Sequence, residues 1–326
     1  MTKIEKLRGY LFLTAVGLSF SIYASGCGYK YPMPPIPSDS GMPPESSYVS
    51  TGIWDSSAEF NDLFVGISGL VFAIRNDSVL AYYLSGARNN NFDLDYEFQG
   101  AVSGVQALDG SIWVLDTSSA AVMKFSQDGN LQRTIIKPEF VGGVSIAIRD
   151  SLFYISFRDN NLVVAYDTLG NVVDTVAREG NGILNVVSPV GLYYDRQRDL
   201  LFVASSGRNW VEGITASLPH ENLYHLGGIY HDGGTDDTLF LNPLDVTADL
   251  DGNVYVADSG NAAVKKFSPS GEFIISAYSR IEGAYPLRVA VSFTGSEFYA
   301  IMGDGNMRWI EKFNKAERPD TTGGGK

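Results

Sequence analysis

The sequence predicts an all-β protein, a six-bladed β-propeller, and three observations lead there. Asp109–Leu131 (DGSIWVLDTSSAAVMKFSQDGNL) and Asp251–Phe273 (DGNVYVADSGNAAVKKFSPSGEF) align without a gap at an offset of 142 and share 11 of 23 residues. Each copy reads as an Asp-Gly turn, an apolar strand of period two ending at an Asp, a Ser/Gly-rich turn and a second strand ending in Lys-Phe, which is an antiparallel hairpin. Weaker copies stand between and around these two, anchored at Leu80, Ile112, Phe153, Leu201, Val254 and Phe298 with spacings of 32, 41, 48, 53 and 44. Repeats of about 40 to 50 residues, each holding about four short strands, are propeller blades.

Taken in order, the chain opens with Lys3, Lys6 and Arg8 before an apolar stretch from Tyr10 to Tyr23, then Ala24-Ser25-Gly26 and Cys27, the lone cysteine. A basic head, a short apolar body and small residues before a cleavage point read as a secretory signal peptide over 1–26, too short for a membrane span. The cysteine after Ala-Ser-Gly resembles a bacterial lipobox, with Ala24 where Leu is commonest. The resemblance implies lipidation of Cys27, a membrane anchor and a place in the cell envelope. Gly28 in place of a retention Asp favours the outer membrane. Residues 27–47 hold six of the thirteen prolines, and such a stretch is a semi-rigid spacer.

The propeller is expected over 48–316. Its poorest copy is Ala73–Gly86, followed by the Ile112 copy, Phe153–Val172, Leu201–Val211, the Val254 copy and Phe298–Phe313. Trp113, Tyr154, Phe202, Tyr255 and Tyr299 share one position in the second strand and read as filling between blades. After Arg288 there is sequence for about three strands, so the fourth of the last blade is expected from the Tyr48 to Val65 region, closing the ring. The tail 317–326 lacks apolar residues and is expected to be disordered.

Pro243–Phe273 resembles an NHL repeat: a Pro-led inner strand, Asp-Gly-Asn, a strand ending Val-x-Asp, a Gly-Asn turn and a Val-x-x-Phe strand. The other copies match in part; Ser119 stands where the best copy has Asn261, and Phe157 and Ser205 replace the Asp. The resemblance covers about residues 50 to 315 and implies an NHL-type six-bladed propeller, a fold shared by binding proteins, lyases and lactonases. Fold alone does not choose among these.

The net charge is −13, and −15 once the first 26 residues are removed. Such an acidic surface repels phosphate backbones, which argues against nucleic acid. No nucleophile elbow, HExxH, P-loop or dinucleotide fingerprint is present. Inner-strand entries and second-strand turns gather on one face of a propeller, and the candidates there are Arg158, Asp159, Arg208, Asp245, Asp258, Asn261, Arg288 and Asp304. The three arginines come from three blades and either converge on a carboxylate or sulfate or pair with Asp116, Asp258 and Asp304. Asp258 and Asn261 also read as turn-formers.

His220, His225 and His231 lie in one polar insertion between the fourth and fifth blades, read as a long surface loop, and are weak metal candidates because their spacing fits no zinc pattern. The lyase propellers that the repeat resembles carry histidines on separate blades around the channel, which this chain cannot do. No catalytic residue and no cofactor is expected, though carboxylates leave a divalent cation open. The favoured function is a non-catalytic, lipid-anchored, monomeric envelope protein whose propeller face binds a protein, peptide or glycan. A metal-dependent envelope lyase or lactonase and a structural envelope component are the alternatives.

Overall fold

The computed structural model describes residues 47–55, 60–94, 96–180, 184–228 and 233–316. The signal stretch, Cys27, the proline-rich linker, His231 and the tail from 317 lie outside them.

Six sheets succeed one another along the chain. After β1 (Tyr48–Trp54), blade 1 holds β2 (Asp62–Val65), β3 (Val71–Ile74) and β4 (Val79–Tyr82). Blade 2 holds β5 (Ala101–Gln106), β6 (Ile112–Asp116), β7 (Ala121–Phe125) and β8 (Leu131–Ile136); blade 3 holds β9 (Gly143–Arg149), β10 (Leu152–Phe157), β11 (Leu162–Asp167) and β12 (Val172–Ala177). Blade 4 is β13 (Pro189–Asp195), β14 (Leu200–Ser205), β15 (Trp210–Thr215) and β16 (Asn222–Gly227); blade 5 is β17 (Pro243–Ala248), β18 (Val254–Asp258), β19 (Ala263–Phe267) and β20 (Phe273–Tyr278). Blade 6 is β21 (Tyr285–Val291), β22 (Glu297–Gly303) and β23 (Arg308–Lys315). Its outer strand is β1, which pairs antiparallel with β23 from Tyr48 opposite Lys315 to Trp54 opposite Ile310. The ring is thus closed by the stretch that the strand count after Arg288 calls for, while β2 from the same region opens blade 1.

Turn chemistry explains the hairpins. Gly110 and Gly252 follow Asp109 and Asp251 with φ of 84° and 82°, which only glycine adopts without strain. At the other end, Ala120, Asn161, Asn209 and Ala262 occupy one equivalent left-handed position four residues past the second strand. Two of the four are Asn, which tolerates that conformation.

Packing differs from a single central core. Each of the six apolar clusters draws on two consecutive blades; one, for example, joins Tyr255 and Val264 of blade 5 to Val289, Phe298 and Trp309 of blade 6. Trp113, Tyr154, Phe202, Tyr255 and Tyr299 are all buried within these clusters. The register corrects the first blade. Val71, paired with Val65 and Tyr82, corresponds to Ile112, paired with Gln106 and Phe125, so the anchor set at Leu80 lies one strand late. Restored to Val71, the spacing becomes 41, and buried Phe72 takes the recurring aromatic position.

Among the described residues, blade 1 has three strands. The chain between Tyr83 and Gly100 runs where a fourth would lie, held by Asn89 N donating to the Ala81 carbonyl at 2.8 Å and by buried Leu94 and Phe98.

Candidate functional site at the channel mouth

The inner strands β2, β5, β9, β13, β17 and β21 each begin at the same end of the ring, where the turns after the second strands also lie. In β5, β9, β13, β17 and β21 the pairing slips near this end: between Ala101 and Ser103, Gly143 and Ser145, Pro189 and Leu192, Pro243 and Asp245, and Pro286 and Arg288. A bulge re-aims side chains on either side of it. Here it creates two rings of equivalent positions, one at the mouth and one just below.

The lower ring is Asp62, Ser103, Ser145, Gly191, Asp245 and Arg288. Its side chains link every inner strand but β13 to the next. Asp62 Oδ2 accepts from Gly104 N at 3.0 Å and from Ser103 Oγ at 2.5 Å. Ser103 Oγ accepts from Ile146 N at 3.1 Å, Ser145 Oγ from Leu192 N at 3.2 Å, and Asp245 Oδ2 from Val289 N at 2.9 Å. Arg288 Nε closes the circle 3.5 Å from Asp62 Oδ1. Gly191 has no side chain to offer, and a Cβ there would stand 2.2 Å from Asp245 Oδ1. Burial raises both carboxyls above the usual carboxylate range; Arg288 opposes this, and Asp62 pushes Asp245 further up. Two buried acids around one guanidinium leave a surplus of protonatable groups under the mouth.

The upper ring supplies Asn61, Val102, Val144 and Leu287 to a cleft of about 240 Å³, together with Phe60, Gly143, Arg288 and Arg308. Arg308, at the start of β23, is steadied by donating through Nη1 to the Phe60 carbonyl at 2.9 Å and to Asn61 Oδ1 at 3.3 Å. Apolar walls and two guanidiniums suit an anionic group on an apolar body, since guanidinium pairs bidentately with carboxylate or sulfate and gains strength where water is excluded. The lining residues include no pairing of nucleophile and base.

The other residues singled out in the sequence have separate environments. Arg158 and Asp159 are exposed on the turn after β10. Arg208 is buried with its guanidinium 4.7 Å from the Trp210 ring centroid. Asp258 is buried, accepts from Leu241 N at 2.8 Å and Asn261 Nδ2 at 2.6 Å, and pairs with Lys265 at 3.1 Å; burial holds its carboxyl above the usual range. Asn261 also donates to the Gly234 carbonyl at 2.8 Å. Exposed Asp304 accepts from Asn306 N and Met307 N, which keep its carboxyl below the usual range. Asp116 accepts from Gln99 N and Ser119 N. Of the eight candidates, Arg288 and Asp245 sit in the ring, and Arg288 reaches the cleft.

The histidine stretch is not wholly a loop: Asn222–Gly227 is β16, the outer strand of blade 4, whose ladder to β15 continues the sheet. His220 donates through Nδ1 to the Thr215 carbonyl at 2.7 Å, with Nε2 3.2 Å from Asp174 of blade 3. The His225 ring meets Trp210 edge-on at 5.0 Å. Among the described residues, no group of three or more His, Cys, Asp or Glu is placed to hold a metal.

The ring residues Asp62, Ser103 and Ser145, and the cleft residues Asn61, Val102, Val144 and Arg308, escape a reading based on second and third strands. A signal was present: Ser103 and Asp245 each stand six positions before the Asp of the Asp-Gly turn that leads out of their inner strand, Asp109 and Asp251.

Comparison with known proteins agrees with this architecture. Residues 240–267 match the NHL repeat family. No curated protein matches the chain in sequence. Among solved structures, the chain resembles a protein of unknown function from Bacteroides thetaiotaomicron (TM-score 0.62, 14% identity, covering 82% of this chain and 76% of that one). It also resembles an auxiliary nutrient binding protein from Bacteroides ovatus (0.59, 12%, 84% and 78%). A third is a catalytically inactive histidine-to-alanine variant of virginiamycin B lyase from Staphylococcus aureus with quinupristin (0.55, 15%, 80% and 82%). At such identities the likeness is one of fold. The chain is therefore a six-bladed β-propeller that carries an NHL repeat across its fifth blade.

Proposed function

We propose that this chain is a non-catalytic binding protein of the bacterial cell envelope, tethered through Cys27, whose channel mouth takes a protein or peptide segment bearing a carboxylate. The observation that carries the reading is the cleft of about 240 Å³ in which Arg288 and Arg308 stand among Phe60, Val102, Val144 and Leu287. A carboxylate beside an apolar side chain, as at a peptide terminus or an acidic residue, fits both features. In an otherwise acidic chain, two cations at a concave mouth also focus the field that draws an anion in. The basic, apolar and small-residue pattern before Cys27, and the spacer after it, support a domain held off an outer-membrane surface. The fold-level likeness to a Bacteroides nutrient binding protein is in keeping with that setting.

The test places a photo-crosslinking residue at Val144 of the full-length chain in living cells, with the exposed turn residue Leu169 as control. A discrete protein or peptide adduct at 144 and not at 169, weakened by Arg308→Gln, is the expected result. No adduct, or the same adducts at both positions, overturns the binding site; a Cys27→Ser variant that still fractionates with membranes and takes up no acyl label overturns the tether.

A further inference from the structure

We infer a second binding site, for a neutral saccharide, in a cleft between blades 1 and 2 at the opposite end of the strands from the channel mouth. The cleft has a volume of about 400 Å³, within the usual range for a small-ligand site. Its walls come from the β2–β3 turn (Ser68), the end of β5 (Gln106), the β7–β8 turn (Gln127, Asp128) and the segment that replaces the missing fourth strand of blade 1 (Asn89, Asn91, Phe92, Asp93).

In that segment Asn89, Asn91, Phe92 and Asp93 line the cleft, while Leu94 and Phe98 are buried between the blades with Phe92 and Tyr96 packed against them. The segment is fixed in place: Asn91 N donates to Asn89 Oδ1 at 3.1 Å, and Phe92 stands edge-on to Phe72 at 5.1 Å. Gly129, at φ 87°, brings the β7–β8 turn so close that a Cβ would lie 2.1 Å from the Asp93 carbonyl. Asp128 is therefore held near Asp93 by backbone contact.

Chemistry selects the ligand. Ser68, Asn91, Asp93, Gln127 and Asp128 line the cleft, and their side-chain polar atoms make no hydrogen bond among the described residues. They offer amide donors, amide acceptors and carboxylate acceptors in planar groups. A vicinal diol matches that set, because each hydroxyl can donate to a carboxylate and accept from an amide at once. Leu70, Phe72 and Phe92 add an apolar patch for the C–H face of a sugar ring. Among the described residues no cationic side chain lines the cleft, and its two carboxylates repel uronates, sulfated sugars and phosphates. The site is independent of the channel mouth in position and in charge.

The experiment uses the full-length chain in detergent against immobilised neutral hexose, pentose and N-acetylhexosamine oligomers, with uronate, sulfated and amino-sugar oligomers alongside. Expected are retention on one or more neutral oligomers, at least tenfold weaker binding by the double variant Asn91→Ala, Gln127→Ala with its thermal unfolding unchanged, and unaltered binding by Arg308→Gln. Retention on charged oligomers alone, absence of any retention, equal binding by the double variant, or loss of binding on chelating divalent cations overturns the inference. Failure at Val144 crosslinking leaves these outcomes untouched, and the reverse holds too.

Discussion

The guanidinium of Arg288, on the last inner strand, stands 3.5 Å from the carboxylate of Asp62, on the first. These two residues, far apart in the chain, complete a ring of side chains that joins every inner strand but one to the next. Both are largely buried, and the guanidinium opposes the burial that raises the Asp62 carboxyl above its usual range. Replacing Arg288 by Met is expected to cost about 3 kcal/mol, read as a lower denaturation midpoint, because Asp62 is left without its counter-charge. Adding Asp62→Asn should recover most of the loss. A double variant no better than Arg288→Met would show that the pair acts through packing instead.

Gly191 is the ring position without a side chain, and the repeat suggests Ser there by analogy with Ser103 and Ser145. The structure argues the opposite: a Cβ would meet Asp245 Oδ1 at 2.2 Å and its Cα at 2.6 Å. Gly191→Ser should therefore destabilise the propeller by about 1 to 3 kcal/mol through overpacking. A neutral or stabilising effect in urea denaturation would count against the placement of Asp245.

Stability should fall as pH rises toward neutrality. Glu212 is buried on β15, and burial pushes its carboxyl up to about 7 despite Arg208 and the hydrogen bond from Asn222. A group raised in the folded state holds its proton more tightly there than in the unfolded chain, where it titrates near about 4.3. Its contribution is thus complete below about pH 4.3 and lost as pH climbs through about 7; Asp245, also raised by burial, acts in the same direction. Glu212→Gln should flatten the decline in unfolding midpoint between about pH 5 and 7, and an unchanged slope would remove Glu212 as its source.

Closure of the ring makes its own prediction. β1 covers the outer edge of β23, and Tyr48 reaches across to blade 5, with its hydroxyl 3.1 Å from that of Tyr255. Deleting Tyr48–Trp54 exposes that edge and empties part of the apolar interface between blades 5 and 6. Size-exclusion chromatography is expected to show oligomers or aggregate, whereas a stable monomer would mean that blade 6 holds without its fourth strand.

Much of this was legible in the residues alone, because hairpins are local. Asp-Gly turns, period-two strands and a recurring aromatic dictate the blades wherever the second and third strands are well marked, and the NHL-like stretch around Asp251 shows them best. The first blade misled by one strand because its copy is short, and Phe72 fell out of the aromatic series until pairing placed Val71 opposite Val65. Asp258 and Asn261 could be read as turn-formers from their spacing, and the bond between them is local, while those to Leu241 N and the Gly234 carbonyl come from the segment before β17. The ring and the mouth above it were decided by tertiary structure. Asp62, Ser103, Ser145, Asp245 and Arg288 meet because six inner strands, separated by about 40 to 50 residues each, converge on one axis and five of them bulge at nearly the same height. The cleft between blades 1 and 2 likewise depends on a segment that takes the place of a strand. Period and turn chemistry say which residues are strand; only the closing of the ring says which of them face one another.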